Sequence, residues 1–526
     1  MTDRTFDKLY MGVEFGSTRI KAVLIDDNQE PIANGVHDWE NRFEGGYWTY
    51  HLEDFWEGMQ DAFSDLKRDF KEKYGQDLRN IAAIGVSAMM HGYLAFDGND
   101  ELVAPFRTWR NTTTGPAAEE LTALFNFNVP QRWSVSHLYQ AILNKEERVD
   151  QIKFMTTPAG YVHWKLTGKK VLGLGDASGM FPIDSSTMRF DAEMERKFND
   201  LLKKNDLPYT IKDIFPEILT AGDNAGLLTA EGALLLDPTG ELKPGIPFCP
   251  PEGDAGTGMV ATNSVSERTG NISAGTSIFA MTVLENPLKA VHPEIDMVTT
   301  PDGKPVAMVH CNTCSTEIDE WIRLFKGMFD RLGVEVSLND LYQAVFSSSL
   351  EGEKDAGGLF FFNYFSGEPV VGSDKGTPAL FRRVDSDFSL QNVCRALIFS
   401  AFSTLAVGMR ILDDEGVKID KMFGHGGLFK TTDAGQRLLS GGLNVPISVM
   451  STAGEGGPWG MAILAQYMIR KEVGETLGEY LNNKVFATSN VKSVNPATED
   501  VEGFKKYIET YCKLLPAENL AADVLG

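Results

Sequence analysis

The sequence contains the stretch MGVEFGSTRIKAVLID at residues 11–26 and a second stretch of the same design, RTGNISAGTSIFAMTVL, at residues 268–284. Each stretch predicts a β-strand, a tight turn of glycine and hydroxyl residues, and a second strand whose Val and Ile residues suit a buried sheet. The turn glycines, Gly16 and Gly275, are separated by about half of the 526 residues. The sequence therefore predicts two similar halves, each of which opens with the same hairpin.

Outward from the hairpins, segments with apolar residues at helical spacing alternate with short apolar runs bounded by turn residues. The predicted helices are residues 52–74, 159–166, 396–412 and 432–443, and the predicted strands are residues 80–87 and 421–424. This alternation indicates an α/β fold. We place the boundary between the halves within residues 260–267, which gives domains of residues 1–262 and 263–526. The polar stretch at residues 489–495 is expected to be a surface loop.

Composition excludes several classes of function. The chain has 49 Lys and Arg residues against 73 Asp and Glu residues, a net charge of −24, which repels nucleic acids and anionic membranes. A small anion such as a nucleotide is not excluded, because backbone N–H groups and one or two local cations can hold it. The N-terminus lacks the apolar core of a signal peptide, and no apolar run reaches membrane-spanning length. We therefore expect a cytoplasmic protein that binds neither nucleic acid nor membrane.

The five cysteines are too few and too scattered to predict a disulfide framework. Cys311 and Cys314 form the one C-x-x-C pair in the sequence, beside His310. A zinc or redox role is one interpretation of this pair. A second ligand pair in ordered spacing is absent from the sequence, so buried thiols are the favoured interpretation.

The two hairpin turns are candidates for phosphate binding. A glycine followed by hydroxyl residues leaves backbone N–H groups open and adds hydroxyl donors, so such a turn can hold phosphate oxygens. For each turn taken alone, an ordinary β-hairpin is the favoured interpretation, because Gly-Ser and Gly-Thr turns are common. Their occurrence at corresponding places in two halves favours the functional interpretation. Neither is a Walker loop, because the pattern G-x-x-x-x-G-K-[ST] does not occur.

The stretch CPPEGDAGTG at residues 249–258 surrounds Asp254 with small residues. A ligand can approach such a carboxylate closely, which makes Asp254 a candidate general base. An Asx turn in a glycine-rich loop is the structural alternative.

Two further motifs suit ligand recognition. GHGGLFK, at residues 424–430, places glycines where a strand feeds a helix, which suits either a nucleotide or close helix–sheet packing. SAMMHG, at residues 87–92, ends a predicted strand and is followed by Trp109, Arg110 and Asn111. Hydrogen-bonding groups beside an aromatic ring suit a polyhydroxylated ligand such as a sugar, although a lone histidine is more often structural.

Five of these motifs, in their order along the chain, resemble the FGGY family of carbohydrate kinases over residues 12–470. They are GVEFGSTRIK, SAMMHG, EGDAGTG, GNISAGTS and GHGGLFK. The resemblance implies a duplicated actin-like, ribonuclease-H-like α/β fold with two domains around a central cleft. The first domain would carry the sugar site and the second the nucleotide site and a helical tail. The tripeptide MHG is similar to the xylulokinase and ribulokinase branch of the family.

The resemblance also implies roles for individual residues. Asp254 would be the catalytic base, and MgATP the phosphoryl donor, with Glu14 and Asp254 near Mg²⁺. The substrate residues would be Met90, His91, Trp109, Arg110 and Asp254. The ATP-binding residues would be Gly16, Ser17, Thr18, Lys21, Gly275, Thr276, Gly367, Gly426, Gly427 and Thr431.

The chain departs from the family pattern at three places. Glu14 stands where the family usually has Asp, which preserves a carboxylate near Mg²⁺. Ala255 stands where xylulokinases and glycerol kinases have an Asn or Gln that contacts the substrate. Trp109, Arg110 and Asn111 replace the W-N-D pattern of xylulokinases.

We therefore expect a cytoplasmic enzyme that phosphorylates a ketopentose such as xylulose or ribulose with ATP, with a homodimer as the default assembly. A kinase for another ketose or polyol is an alternative. So is a pseudokinase that only senses a sugar, which Glu14 and Ala255 would suit. A chaperone-like or filament-forming ATPase of the same superfold is a third alternative, and the SAMMHG loop disfavours it.

Overall fold

The structure, a computed structural model, describes residues 6–430, 433–450 and 456–525. The described residues form two compact units. Unit 1 contains those within 1–265, 297–306 and 455–488, and unit 2 contains those within 266–296, 307–454 and 489–526. The predicted domains, residues 1–262 and 263–526, rest on internal repetition rather than on contacts, and that division stays a prediction.

The elements alternate along the chain, as expected for an α/β fold. The strands are β1 (Leu9–Phe15), β2 (Arg19–Ile25), β3 (Pro31–Asp38), β4 (Arg42–Glu44), β5 (Tyr47–Thr49), β6 (Ile81–Ala88), β7 (Leu94–Phe96), β8 (Phe154–Thr156), β9 (Val171–Gly173), β10 (Ile183–Asp184), β11 (Arg189–Phe190), β12 (Glu217–Leu219), β13 (Glu252–Gly253), β14 (Thr269–Ala274), β15 (Ile278–Val283), β16 (Asp296–Thr299), β17 (Pro305–Cys311), β18 (Leu359–Phe362), β19 (Ala379–Arg382), β20 (Lys421–Gly426), β21 (Ile447–Met450) and β22 (Val491–Val494). The helices are α1 (Leu52–Tyr74), α2 (Gly115–Phe125), α3 (Ser134–Leu143), α4 (Pro158–Thr167), α5 (Leu174–Ala177), α6 (Ala192–Lys204), α7 (Ile211–Ile214), α8 (Ala230–Leu236), α9 (Asp254–Ala261), α10 (Thr316–Arg331), α11 (Leu338–Glu351), α12 (Leu390–Glu415), α13 (Ala434–Leu443), α14 (Gly456–Arg470), α15 (Leu477–Tyr480) and α16 (Thr498–Leu525).

Unit 1 is built on a five-stranded sheet with the order β13-β6-β1-β2-β3. The first predicted hairpin is β1 and β2, which pair antiparallel, and β3 continues it antiparallel to β2. Strands β1, β6 and β13 are parallel to one another, so their carboxyl ends lie at one edge of the sheet. That edge is where ligands bind in open α/β sheets.

Helices cover both faces of this sheet. Residues of β1 alternate between faces: Val13 belongs to a core that includes Phe55 of α1, whereas Gly12 faces α14. A Cβ atom on Gly12 would overlap the carbonyl oxygen of Pro458, so glycine allows α14 to lie directly against the strand. Burial on two faces explains why β1 and β6 are apolar along nearly their whole length.

Unit 2 repeats the arrangement. Strands β14 and β15 form the second predicted hairpin, and β20 and then β21 continue the sheet in parallel. The carboxyl ends of β14 and β20 therefore coincide, with Ala274 opposite Gly426. The sequence prediction of two halves that open with the same hairpin is confirmed.

The prediction of a surface loop at residues 489–495 is wrong. This stretch contains β22, which pairs antiparallel with β21 at the edge of the sheet. Three of its four residues are exposed, so its polar sequence carries no apolar pattern to indicate a strand. Backbone pairing and a hydrogen bond between the hydroxyls of Ser448 and Ser493 (2.7 Å) hold it in place.

Helix α12 is the one helix in the described ranges that is long and apolar enough to cross a membrane, and 78% of its most apolar 18-residue window is buried. The cysteine pair is buried as predicted. Burial raises the pKa of the Cys314 thiol to about 12 and raises that of Cys311 well above its usual value, so both stay protonated. No group of three His, Cys, Asp or Glu residues within the described chain has an arrangement that could hold a metal ion.

We expect Gly12→Ala to destabilise unit 1 by about 3 kcal/mol, because the added methyl group displaces α14 from β1. Urea denaturation followed by circular dichroism measures the change. Gly98→Ala is the matched control, since a Cβ atom there meets its nearest neighbour at an ordinary 3.8 Å. Equal stability of the two variants would contradict the packing described for α14.

Candidate active site

Three loops meet at the carboxyl edge of the unit 1 sheet. Phe15 and Gly253 each lie opposite Ala88 in the register of β1, β6 and β13. The residues that follow these three are the Gly16 turn, the Met90–His91 loop and Asp254. The parallel register therefore brings together residues that are far apart in the sequence.

Aromatic side chains hold the Gly16 turn. The Gly16 N–H donates to the Arg19 carbonyl (2.9 Å), and the indole of Trp39 donates to the Gly16 carbonyl (2.7 Å). The Tyr50 hydroxyl donates to the Ser17 carbonyl (2.5 Å), and the Trp109 indole donates to the Ser17 hydroxyl (3.2 Å). Beside the turn is a cavity of about 790 Å³, lined by Glu14, Gly16, Thr18, Arg19, Lys21, Asp38, Trp39 and Glu40.

Glu14, Lys21 and Asp254 form the charged centre of the site. Glu14 and Lys21 are cross-strand neighbours in the hairpin. Burial and the nearby Asp254 carboxylate raise the pKa of Glu14 to about 8, and Lys21 opposes this shift. Burial raises the pKa of Asp254 to about 6, against hydrogen bonds from the backbone of Met90 and Ala255. Two carboxylates that repel each other beside one lysine form a site that a cation or a proton would stabilise.

Asp254 is the first residue of α9, so the Asx-turn alternative does not describe it. The side chain of Asp254 is exposed to solvent. The protein atoms around it still displace enough water to raise its pKa. The Ala255 N–H donates to Asp254 Oδ1 (3.0 Å), which fixes the position of that oxygen.

The Met90–His91 loop is buried. His91 has a left-handed backbone with φ of 72°, and its Nδ1 lies 3.1 Å from the Gly179 carbonyl oxygen. That hydrogen bond places the ring proton on Nδ1. Burial, with the charge of Arg132, lowers the pKa of His91 to about 3, so its imidazole is neutral with Nε2 as an acceptor. A Cβ atom on Gly253 would overlap Met90 Cγ, which places Met90 directly beside the start of α9.

Trp109, Arg110 and Asn111, which replace the W-N-D pattern, make different contacts. Trp109 contacts the first hairpin through Ser17, whereas the Arg110 guanidinium lies 4.0 Å from the centre of the Trp48 ring. Asn111 is buried and accepts from the Trp48 N–H (2.8 Å) while donating to the Trp48 and Thr108 carbonyls (both 2.9 Å). Asn111 thus fastens β5 to the loop that carries Trp109 and Arg110.

The sequence analysis missed Asp176 and Glu252, two buried carboxylates beside this edge. Glu252 ends in a pocket that Gly173 and Gly175 leave open, and it accepts the N–H of Asp176 (3.0 Å). Burial, with their proximity to other carboxylates, raises the pKa of each to about 8. Asp176 lies in GLGDASG, and the small neighbours that singled out Asp254 were a usable signal here too.

Gly457 is the second residue of α14 and lies against Glu14. A Cβ atom on Gly457 would overlap Glu14 Oε2. The glycine-rich start of α14 therefore makes room for the carboxylate of Glu14.

Unit 2 has its own candidate site. The Gly275 N–H donates to the Ser277 carbonyl (2.9 Å), and the Thr276 carbonyl accepts from the Cys314 N–H (2.7 Å) just before α10. Gly426 has φ of 102° and lies against the backbone of Ala274. Register and packing thus bring the second hairpin turn and the GHGG motif together.

A cavity of about 240 Å³ adjoins the GHGG motif. Its lining residues are Ser315, Ile318, Asp319, Asn339, Tyr342, Gln343, Phe346, Gly427, Leu428 and Lys430. The Gly367 carbonyl is not part of this lining and accepts from the Asn312 side chain (2.6 Å). Thr431 lies outside the described residues.

Comparison with protein families identifies both halves. Residues 9–260 match the model of the FGGY family of carbohydrate kinases, N-terminal domain, and residues 270–469 match the C-terminal domain of the same family. Among curated proteins, the xylulose kinase of Haemophilus influenzae is 22% identical over 446 residues, which cover 81% of this chain and 84% of that protein. The xylulose kinase of Escherichia coli is 21% identical over 427 residues, which cover 78% of this chain and 80% of that protein.

Solved structures share the fold over nearly the whole chain. Xylulose kinase from Lactobacillus acidophilus superposes with a TM-score of 0.80 at 17% identity, covering 99% of this chain and 100% of that one. Gluconate kinase from the same organism superposes with a TM-score of 0.79 at 18% identity, covering 99% of this chain and 100% of that one. Xylulose kinase from Rhodospirillum rubrum superposes with a TM-score of 0.78 at 16% identity, covering 97% of this chain and 98% of that one. The predicted two-domain α/β fold of the actin-like type is confirmed.

We expect Asn111→Ala to destabilise unit 1 by about 2 kcal/mol, because two carbonyls and one N–H lose a buried partner. Hydrogen exchange at the Trp48 amide measures the loss locally and should become faster. Asn205→Ala, at an exposed helix end, is the control and should leave that amide unchanged. Unchanged exchange at Trp48 in Asn111→Ala would show that Asn111 does not fasten β5.

Proposed function

Because the chain belongs to the FGGY family of carbohydrate kinases, we propose that it transfers the γ-phosphoryl group of ATP to a hydroxyl group of a ketopentose such as xylulose or ribulose. The observation that carries the proposal is the meeting of Asp254, the Met90–His91 loop and the Gly16 turn at one sheet edge. The xylulose kinases among its curated relatives support a ketopentose as the substrate class. The likeness to a gluconate kinase supports only the fold.

Asp254 has the position and the chemistry of the general base. In the proposed reaction a sugar hydroxyl attacks the γ-phosphorus, the bond to the β,γ-bridging oxygen breaks, and ADP leaves. Asp254 accepts the hydroxyl proton as the new P–O bond forms. Its pKa of about 6 leaves the free carboxylate mostly ionised at neutral pH and ready to accept that proton. The transition state is loose, so correct placement of the hydroxyl contributes more than its activation.

His91, Met90, Trp109 and Arg110 would hold the sugar. Neutral His91 offers Nε2 as an acceptor for a sugar hydroxyl, and Met90 packs at the start of α9. Trp109 is 38% exposed and lies against the Gly16 turn, where its ring can cover an apolar face of a sugar. The exposed Arg110 guanidinium supplies donors at the rim.

Backbone donors and one lysine would hold the phosphates in this acidic chain. The turns at Gly16, Ser17 and Thr18 and at Gly275 and Thr276 are the proposed phosphate sites, with Lys21 as the local cation. Gly426, Gly427, Gly367 and Thr431 are the proposed adenosine residues. The cavity beside Gly427, with the amides of Asn339 and Gln343 in its lining, supports the placement of the base in unit 2.

The residues at the sheet edge fit Mg²⁺. Glu14 and Asp254 repel each other, and a divalent cation near both would remove that repulsion. Magnesium commonly binds to one or two carboxylates and takes its remaining ligands from water and phosphate. Bound Mg²⁺ would neutralise phosphate charge, and Glu14 and Asp254 would hold it. A cytoplasmic location and a homodimer also remain proposals.

We expect Asp254→Asn to lower sugar-dependent ADP release by about 10²- to 10⁴-fold, because the amide cannot accept the proton. ATP affinity, measured by calorimetry, should change little. Asp97→Asn, a buried acid in a turn bonded to Arg148, is the control and should keep its activity. Full activity of Asp254→Asn would contradict the assignment of the base.

A screen of ADP release across ketopentoses, ketohexoses and polyols tests the substrate class. We expect turnover with at least one ketopentose and negligible ADP release without sugar. Sugar binding without transfer would instead support a pseudokinase, which the Glu14 and Ala255 departures favour. ADP release that needs no sugar would support an ATPase.

A further inference from the structure

Among the described residues, only one of the two side-chain oxygens of Asp176 has a hydrogen-bond partner. Its side chain is 1% exposed, and the Thr157 hydroxyl donates to Oδ2 (2.6 Å). Oδ1 is fully buried and has no hydrogen-bond partner among the residues that the structure describes. A buried acceptor without a partner destabilises the fold, so such atoms are rare and need an explanation.

The unpartnered oxygen points into the substrate side of unit 1. Oδ1 lies 3.2 Å from the position that a Cβ atom on Gly253 would occupy, immediately before the proposed base Asp254. Met90 occupies the neighbouring space. Three residues further along the chain, Gly179 accepts the hydrogen bond from His91. Asp176 thus lies beside Gly253, next to the proposed base, and near the Met90–His91 loop that would hold the sugar.

We propose that Oδ1 of Asp176 binds one hydroxyl group of the sugar and helps to determine which sugar is phosphorylated. The proposal rests on the proposed function, since it concerns the same substrate site. The flexible side chain of Met90 lies against the same point on Gly253 as this oxygen, and its movement on sugar binding would open the contact. Thr157 holds Oδ2 and so fixes the direction in which Oδ1 points.

The surroundings favour a hydroxyl over an anionic group. Asp254 and Glu252 are close enough to Asp176 to raise carboxyl pKa values in the cluster, which disfavours an anionic ligand. Burial contributes most to the raised pKa of Asp176, about 8, so its carboxyl group is mostly protonated at neutral pH and ionised in a minor fraction of molecules. A hydroxyl group can donate to the ionised form and accept from the protonated form, and therefore suits both.

A contact between Asp176 and the sugar would supply a hydrogen bond that Ala255 cannot make. Ala255 directly follows the proposed base, and its methyl group has no hydrogen-bonding atom to offer a sugar. A site that lacks one polar contact needs another to distinguish sugars by the presence of a hydroxyl. Asp176 provides such a group on a neighbouring loop.

The test is Asp176→Asn, assayed with the best sugar from the screen and with analogues that each lack one hydroxyl. The amide oxygen can still accept from Thr157, while Oδ1 is replaced by an NH₂ group. We expect the sugar KM to rise about tenfold or more and the ATP KM to stay within about twofold. For the native chain each missing hydroxyl lowers kcat/KM, and in the variant one specific analogue should lose no further activity.

Asp237→Asn is the matched control, because Asp237 is also a buried acid of unit 1 and its carboxylate bonds to Thr239, Leu242 and Lys67. It should leave both KM values unchanged. Thermal unfolding of both variants shows whether the fold is intact. If every analogue loses the same factor in Asp176→Asn as in the native chain, Asp176 does not bind a hydroxyl.

A failure of the proposed function is a separate result. If the native chain phosphorylates no sugar, sugar binding by calorimetry replaces turnover as the readout. Weaker sugar binding by Asp176→Asn, together with the loss of discrimination against one analogue, would still support the contact. Equal binding by the native chain and Asp176→Asn, or no sugar binding by the native chain, would overturn it.

Discussion

The site depends on the parallel register of β1, β6 and β13. Parallel strands end at the same edge, so Gly16, Met90 and Asp254 become neighbours although they are far apart in the sequence. The short strand β13 contributes only Glu252 and Gly253, yet it sets the position at which α9 and its first residue, Asp254, begin. Unit 2 applies the same constraint to the Gly275 turn and Gly426. One topological rule therefore positions the candidate residues in each unit.

Charge explains why the site needs both burial and backbone donors. The chain carries a net charge of −24, and the site adds four carboxylates in close succession: Glu14, Asp176, Glu252 and Asp254. Burial raises the pKa of each, which lowers the negative charge that a nucleotide would meet. Lys21 and the N–H groups of the turns supply the attraction that the rest of the surface does not. Glycine makes the crowding possible, since Gly457 leaves room for Glu14 and Gly175 leaves room for Glu252.

The sequence predicted both hairpins and the main alternation of helices and strands, because buried strands and amphipathic helices have strong periodic patterns. It also singled out Asp254, whose small neighbours are local. It could not reveal that Asp176 lies beside Gly253, since that proximity follows from tertiary packing across more than seventy residues of chain. Nor could it reveal that Gly457 lies against Glu14, because that contact depends on the packing of α14 on β1. Strand β22 was missed because a polar edge strand is specified by its backbone rather than by its side chains.

In the proposed function, the residues at this sheet edge transfer a phosphoryl group to a sugar. Phosphorus-31 NMR of the chain with MgATP and the ketopentose that it uses best detects this transfer itself. We expect a phosphate monoester resonance coupled to sugar protons, which grows as the signal of the γ-phosphate declines. Growth of inorganic phosphate alone, with no sugar ester, would contradict it.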